Sequence, residues 1–463
     1  MNPGGRISGQ RLATVLGAWR RGARHGSADL AAAIEMQVLD GLIPVGTRLP
    51  AERELADALG VSRTLIGAAL DRLREGGLVA SRRGAGSWIT APRTGGIDPA
   101  VRLDGDVIDL ARATPPAVPG MTAAVDAARR LLAAELRGTG YTGFGMPLLR
   151  ERIARRYTER GLPTSPAQIM ITNGAHHAFV LTLRMLAGPG DRVLVEQPTY
   201  PNTLDAIRAA HALPVPVAMT EDGWDFDGIE AVLRQAAPRL AFLIVDFQNP
   251  TGWRMDDDRR ERLGRMFARA RTPLVIDETL AEVDLGNGAA PTPLSGAILL
   301  GSSSKSHWGG LRLGWIRAAE DVLARLSSAR FGVDLGSPVF EQLVFAELLT
   351  HPPGGRWDEL RAQRDVLTGA VREYCPDWTF QVPGGGLSLW CKLPEPMSTR
   401  LAVAAASHGV QVAPGSRFGA HGGLERWMRL PYSQPPDRLV EAVRRLSVAA
   451  ASVRGGVADV PVT

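Results

Sequence analysis

Between residues 108 and 450 short apolar runs of β type alternate with helical stretches, which commits the larger part of the chain to an α/β fold with a mainly parallel sheet. Strands are predicted at Ile169–Thr172, Arg192–Glu196, Leu240–Val245 and Pro273–Ile276, each running into a loop rich in glycine, proline or polar residues. In such sheets functional groups gather where the strands end. The uncommon residues of this chain stand at those ends.

Thr172-Asn-Gly-Ala175 follows the first strand and opens a helix at His176, offering free backbone amides and the positive end of a helix dipole to a phosphate. The second strand leads to Glu196-Gln-Pro-Thr-Tyr200, with one of only five tyrosines. The third leads to Asn249-Pro-Thr-Gly252, which fixes an amide at a strand end, and the fourth ends in Asp277-Glu-Thr. Any one of these reads equally well as a turn or a helix cap, but their order and common position argue for a site. His176 and His177 line the helix start and are not read as metal ligands.

Of 53 lysines and arginines only Lys305 and Lys392 are lysines. Lys392, in Trp-Cys-Lys-Leu-Pro, reads as a surface residue. Lys305 follows the apolar run Ala297–Leu300 in the segment Gly301-Ser-Ser-Ser-Lys305, with Ser302 before it and Arg312 seven residues on. A lysine amine can lose its proton and add to a carbonyl, whereas guanidinium stays protonated. Lys305 is therefore a candidate Schiff-base lysine, and the hydroxyls and arginine around it suit a phosphate.

A phosphorylated aromatic aldehyde would need all of these pieces. Lys305 would form the imine, Asp277 would keep a pyridine nitrogen protonated, Asn249 would donate to a phenolic oxygen, and Tyr200 would stack on the ring. Gly174, Ala175, Ser302 and Arg312 would take the phosphate. The cofactor implied is pyridoxal 5′-phosphate.

Charge divides the chain. Residues 1–96 hold 13 arginines against 8 acidic residues, an excess equal to the +5 of all 463 residues. A basic head on a neutral body suggests polyanion binding by the head. The head carries apolar spacing of a helix over Ser27–Asp40, a second helix over Ala51–Leu59, and a third from Ser62 as N-cap through Arg74. Two β-type runs around a Gly-Ala-Gly tip follow, within Leu78–Thr90. That is a helix-turn-helix with a wing. The bland alternative is a three-helix domain with a solvated basic face.

No apolar run reaches membrane-spanning length, and Leu12–Trp19 is too short and too closely flanked by arginine to anchor anything. The two cysteines, Cys375 and Cys391, offer neither a disulfide framework nor a metal spacing, so a cytoplasmic, metal-free protein is expected. The expected layout is a basic extension at 1–26, a winged helix at 27–90, a linker at 91–107, a large domain at 108–455 and a tail at 456–463. Whether Arg6, Arg11, Arg20, Arg21 and Arg24 mark a DNA-contacting or a packing helix stays open.

Residues 28–90 resemble the winged-helix domain of GntR-type bacterial regulators, through Arg48-Leu-Pro-Ala-Glu-Arg-Glu-Leu55, Gly60-Val-Ser-Arg-Thr64 and Arg82-Arg-Gly-Ala-Gly-Ser87. The resemblance implies DNA contacts at Arg48, Arg53, Ser62, Arg63, Thr64, Arg82, Arg83 and Gly86. Positions 67 and 68, often basic in that family, are Gly67 and Ala68 here.

Residues 108 to about 450 resemble a fold-type I aminotransferase, which implies a mainly parallel central sheet and a smaller C-terminal α/β subdomain. It also implies that Tyr141 reaches the phosphate of a partner subunit and that Arg429 clamps a substrate α-carboxylate. Enzymes of this kind place a tyrosine two or three residues after the aspartate, where this chain has Thr279 and Leu280, leaving Thr279 as the candidate for that hydrogen bond. The whole layout is similar to the MocR subfamily of GntR regulators. That resemblance implies a homodimer, often head-to-tail, that binds double-stranded DNA and senses an amine, an amino acid or the cofactor itself through Lys305. A working aminotransferase with a DNA-binding head is the alternative.

Overall fold

The computed structural model describes residues 7–17, 19, 26–39, 43, 47–75, 78–82, 86–90, 107–220, 222–286, 291–350 and 354–455. It forms two compact units, one built on residues up to Val107 and one on residues from Ile108 onward.

In the first unit α1 (Gly9–Leu16) and α2 (Gly26–Leu39) precede the helix-turn-helix pair α3 (Glu52–Leu59) and α4 (Arg63–Glu75), and β1 (Val79–Arg82) and β2 (Gly86–Ile89) form the wing. Glu52 and Glu54 stand in the first turn of α3, where the helix dipole favours acids. The Ser62 hydroxyl accepts from the Leu65 N–H at 3.2 Å and starts α4 as the sequence predicts. Across the wing Arg82 lies opposite Gly86, and Thr47–Leu49 adds to β2 through Leu49 N–H to Ser87 O (2.9 Å) and Ile89 N–H to Thr47 O (3.0 Å). Leu12 and Leu16 of α1 are buried in one core with Leu30, Ile34, Leu55 and Ile66. The described part of the N-terminal extension is thus a packing helix. The linker, the C-terminal tail and Arg83 lie outside the described residues.

The second unit begins with β3 (Ile108–Leu110), α5 (Met121–Glu135) and α6 (Pro147–Glu159). Next come β4 (Ile169–Thr172), α7 (Ala175–Leu186), β5 (Arg192–Gln197), α8 (Pro201–Ala209), β6 (Leu213–Thr220), β7 (Gly223–Trp224) and α9 (Phe226–Ala236). These lead to β8 (Leu240–Leu243), α10 (Asp257–Ala270), β9 (Leu274–Asp277), β10 (Ile298–Ser302) and β11 (Gly314–Arg317). One sheet holds them in the order β4-β11-β10-β9-β8-β5-β6-β7, with β6, β5, β8, β9 and β10 mutually parallel and β11 antiparallel. Successive residues of β5, Val193, Leu194 and Val195, are buried on alternate faces of the sheet, in two separate cores. Helices covering both faces explain why these strands read as continuous apolar runs.

Pro214 and Pro216 hide β6 from a sequence reading, because proline lacks the N–H that a central strand donates. They are tolerated because β6 pairs with β5 along its length but with β7 only at Met219 and Thr220. After α11 (Glu320–Arg330), α12 (Val339–Leu348) and α13 (Arg356–Tyr374), a smaller sheet forms from β12 (Ser388–Lys392), β13 (Val410–Pro414) and β14 (Trp427–Pro431), with α14 (Ser398–Ser407) and α15 (Pro436–Gly455). Its order is β12-β14-β13-β3, so the expected C-terminal subdomain borrows its edge strand from residues 108–110. Among the described residues no helix is long and apolar enough to cross a membrane, and Cys375 and Cys391 are free and buried.

Candidate cofactor and ligand site

Strand β10 delivers Lys305 one short turn after its end, with the side chain half-buried. Its Nζ donates to Ala113 O at 2.8 Å and to Thr114 Oγ1 at 3.2 Å. Burial, helped by Arg429 and Arg312 and opposed by Asp277, pushes the ammonium down to about 8. At that value about a tenth of the amine is neutral, and nucleophilic, at pH 7, far more than of an ordinary lysine.

Asp277 ends β9 opposite Leu300 of β10, which brings its carboxylate to the lysine turn. Burial raises its carboxyl, and the neighbouring Thr279 and Lys305 work the other way. The Thr279 N–H donates to Asp277 Oδ1 at 2.8 Å. Glu278 turns elsewhere, accepting from Tyr157 Oη (2.7 Å) and Arg160 Nη2 (3.0 Å), so two consecutive carboxylates serve different surroundings.

Arg429, on β14, is 6% exposed, yet no carboxylate among the described residues lies within ion-pair distance of it. Its Nη1 donates to Asn249 Oδ1 at 3.1 Å, Nη2 donates to Ala111 O, and Nε is buried without a partner. The guanidinium sits over the Phe418 ring at 5.0 Å. Burial lowers it to about 10, with Tyr200 and Asp109 opposing. Burial also raises the Tyr200 hydroxyl; Asp277 adds to that rise, while Arg429 and Arg312 oppose it. Lys305, Asp277, Tyr200, Arg312 and Arg429 thus act on one another electrostatically around one space, with Asn249 beside Arg429.

At the start of α7, Gly174 takes φ +93°, which favours glycine, and a Cβ built there would come within 3.6 Å of Arg312 Nη2. Among the described residues the Arg312 guanidinium has neither hydrogen bond nor ion pair. A Cβ at Gly314 would lie 2.5 Å from Gly174 C and 2.6 Å from Ala175 N, so only glycine lets β11 pass this close behind the turn. The Ser302 hydroxyl is already engaged, with Ser304 Oγ at 3.0 Å and Leu313 O at 3.2 Å. Tyr141 is 71% exposed and stands outside this cluster in its own chain.

These observations fit pyridoxal 5′-phosphate: a half-buried amine of lowered pKa, a half-buried carboxylate beside it, and a helix start flanked by an arginine that has no partner among the described residues. Among the described residues no His/Cys/Asp/Glu group could hold a metal ion. The Ala111–Thr114 segment escaped the sequence reading because it contributes two main-chain carbonyls, and main-chain groups leave no residue signature. Phe418, beneath Arg429, carried no motif either. On the first unit Arg48, Arg53, Ser62, Arg63, Thr64, Arg82 and Gly86 are all exposed. Arg48 bridges to Trp88 of β2, which brings it to the wing.

Residues 106–446 match the family of class I and II aminotransferases, and residues 27–89 match the GntR family of bacterial regulatory proteins. The 2-aminoadipate transaminase of Thermus thermophilus is 31% identical over 64% of this chain and 78% of its own. The HTH-type transcriptional regulator TauR of Rhodobacter capsulatus is 27% identical over 89% of this chain and 94% of its own. The crystal structure of LysN, an α-aminoadipate aminotransferase from Thermus thermophilus, superposes with a TM-score of 0.69 at 29% identity, covering 76% of this chain and 94% of that one. Pyridoxal 5′-phosphate is accordingly the cofactor of the large unit. The chain belongs to the class I and II aminotransferase family and carries a GntR-type DNA-binding domain ahead of it, the architecture of the MocR regulators.

Proposed function

We propose that this GntR-type regulator holds pyridoxal 5′-phosphate at Lys305 and uses it to sense an amine, an amino acid or the cofactor itself. The bound cofactor supplies an aldehyde that amines attack and a ring that withdraws electrons. Lys305 would offer the attacking amine, and Asp277 would hold a proton at the ring nitrogen. The Asn249 amide nitrogen, left free because its oxygen serves Arg429, would donate to the phenolic oxygen, with the Thr279 hydroxyl as a second donor. Tyr200 would stack on the ring, while Gly174, Ala175, Ser302 and Arg312 would bind the phosphate.

One observation carries the ligand reading: Arg429 is a buried cation with no carboxylate within ion-pair distance among the described residues. A carboxylate-bearing amine would take its carboxylate there and present its nitrogen where Lys305 now stands. Both cations are presently occupied by one segment, Arg429 by Ala111 O and Lys305 by Ala113 O. An incoming amino acid competes with those carbonyls and pushes residues 111–114 aside. That segment follows β3 directly, and β3 follows the linker to the DNA-binding unit, so the displacement has a covalent route toward the winged helix.

On the DNA side Ser62, Arg63 and Thr64 would open the recognition helix toward bases, while Arg48, Arg53, Arg82 and Gly86 would contact the backbone and minor groove, with Arg83 a further expected contact. A head-to-tail homodimer would set the spacing of two half-sites, with Tyr141 reaching the partner's phosphate. The exposure of Tyr141, and of the apolar Phe331, Val333 and Leu335, supports a second copy on the large unit. A working aminotransferase is the second reading, favoured by the likeness to transaminases.

The test follows the visible absorbance of the loaded, full-length protein while amino acids are added, with keto acid and DNA affinity measured in parallel. A spectral change with altered DNA affinity and no keto acid supports sensing. Steady keto-acid release with unchanged DNA affinity supports the enzyme.

A further inference from the structure

Behind the phosphate-binding turn, one carboxylate from a distant segment ties several elements together. Asp334 stands after α11, 161 residues from Asn173. Its Oδ2 accepts from Asn173 Nδ2 at 2.8 Å and lies 3.3 Å from His177 Nε2. Its Oδ1 accepts from Arg330 Nε at 2.5 Å and from the Gly336 N–H at 3.2 Å. Arg330, buried, donates on to Ile171 O at 2.6 Å, Gly143 O at 3.2 Å and Ser337 Oγ at 3.2 Å. The last strand residues before the turn, the first turn of α7 and two loops are thus joined through one ion pair.

The backbone of the turn depends on the same cluster. The Asn173 N–H donates to His177 Nδ1 at 3.0 Å, which fixes that nitrogen as the acceptor and leaves Nε2 to carry the proton, 3.3 Å from Asp334 Oδ2 but without a hydrogen bond to it. With its own N–H turned inward, Asn173 gives nothing to a phosphate through the main chain. The donors that remain are the Gly174 N–H and the unsatisfied first-turn amides from Ala175 onward. Their aim is set by where Asn173 and His177 are held.

We infer that Asp334 is a positioning residue for the cofactor's phosphate: it orients Asn173 and His177, and through them the Gly174–Ala175 turn, without touching the cofactor. The inference rests on the pyridoxal 5′-phosphate reading of this site. Simple electrostatics gives the opposite sign. Removing the negative charge leaves Arg330 unpaired near an anion site, which alone would tighten phosphate binding. Geometry and charge therefore predict opposite outcomes for Asp334→Asn.

Full-length protein carrying Asp334→Asn or Asp334→Ala would be titrated with pyridoxal 5′-phosphate and, separately, with pyridoxal, which lacks the phosphate, following the visible band. The expected result is a roughly tenfold or greater loss of affinity for the phosphorylated form, about 1.4 kcal/mol, with affinity for pyridoxal within about twofold of the parent. The ratio of the two affinities thus falls by about tenfold. An equal loss for both compounds would reduce Asp334 to general fold support and overturn the inference, as would tighter binding of the phosphorylated form. Asp334→Asn keeps the shape of the side chain and serves if the alanine variant does not fold. A parent protein that shows no band with either compound would sink the Lys305 reading first and this inference with it.

Discussion

Arg429 and Asn249, 180 residues apart in the chain, meet across 3.1 Å from guanidinium Nη1 to amide Oδ1. The contact does two things at once. It fixes the Asn249 amide so that its nitrogen faces away from Arg429, and it gives a buried cation a neutral partner instead of an anion. A neutral oxygen offsets less of the desolvation cost than a carboxylate would, so a ligand carboxylate would suit Arg429 better than the amide does.

Replacing Arg429 by methionine should separate ligand binding from stability. Without the guanidinium an amino acid loses its carboxylate partner, and its affinity should fall about 30-fold or more, on the order of 2 kcal/mol. The melting temperature of the ligand-free protein should stay the same or rise, because an uncompensated buried charge is removed. Calorimetry and a spectral titration measure the two; a large fall in melting temperature would mean the arginine serves the fold.

Lys305→Arg should abolish the cofactor's covalent attachment although charge is kept, since guanidinium does not deprotonate. In the parent, capture of pyridoxal 5′-phosphate should speed up with rising pH and level off above about 8, the value to which burial and Arg429 bring this amine. An ordinary lysine would keep accelerating toward ~10.4. Because Arg429 lowers Lys305, Arg429→Met should move the midpoint upward. Stopped-flow absorbance across pH 6–11, a range of about five units around the ordinary lysine value, checks all three.

Gly314→Ala places a methyl 2.5 Å from Gly174 C and 2.6 Å from Ala175 N. Backbone must shift at the turn that binds the phosphate, at a cost of about 1–3 kcal/mol. Stability should fall by that amount, and affinity for pyridoxal 5′-phosphate should fall more than affinity for pyridoxal. Denaturant melts of the unloaded protein and paired titrations distinguish the two effects.

On the DNA side Arg82→Ala should weaken binding evenly across sequences and reduce the slope of log affinity against log salt by about 1. Arg63→Ala, at the exposed start of α4, should cost about 1–3 kcal/mol and relax preference at one base position. Fluorescence anisotropy with operator and scrambled duplexes at several salt concentrations reads both. Equal, salt-independent losses for the two variants would place the contact elsewhere.

The amino-acid sequence was enough to determine the layers and to single out the candidate reacting groups. Both faces of the large sheet are covered, so β4, β5, β8, β9 and β10 carry continuous apolar runs that announce themselves. Lys305, Asp277, Asn249 and Gly174 sit where such strands end. Tertiary structure alone decided the rest. Strand β6 tolerates two prolines only because of its place near the sheet edge. Strand β3 joins the smaller sheet with a partner 302 positions further along the chain, as Ile108 beside Val410. The hold of Ala111 and Ala113 on the two ligand cations, and of Asp334 on the phosphate turn, depends on main-chain atoms and on partners 161 to 318 residues away. No local pattern encodes such pairings, because each residue's type is permissive until packing brings its partner within reach.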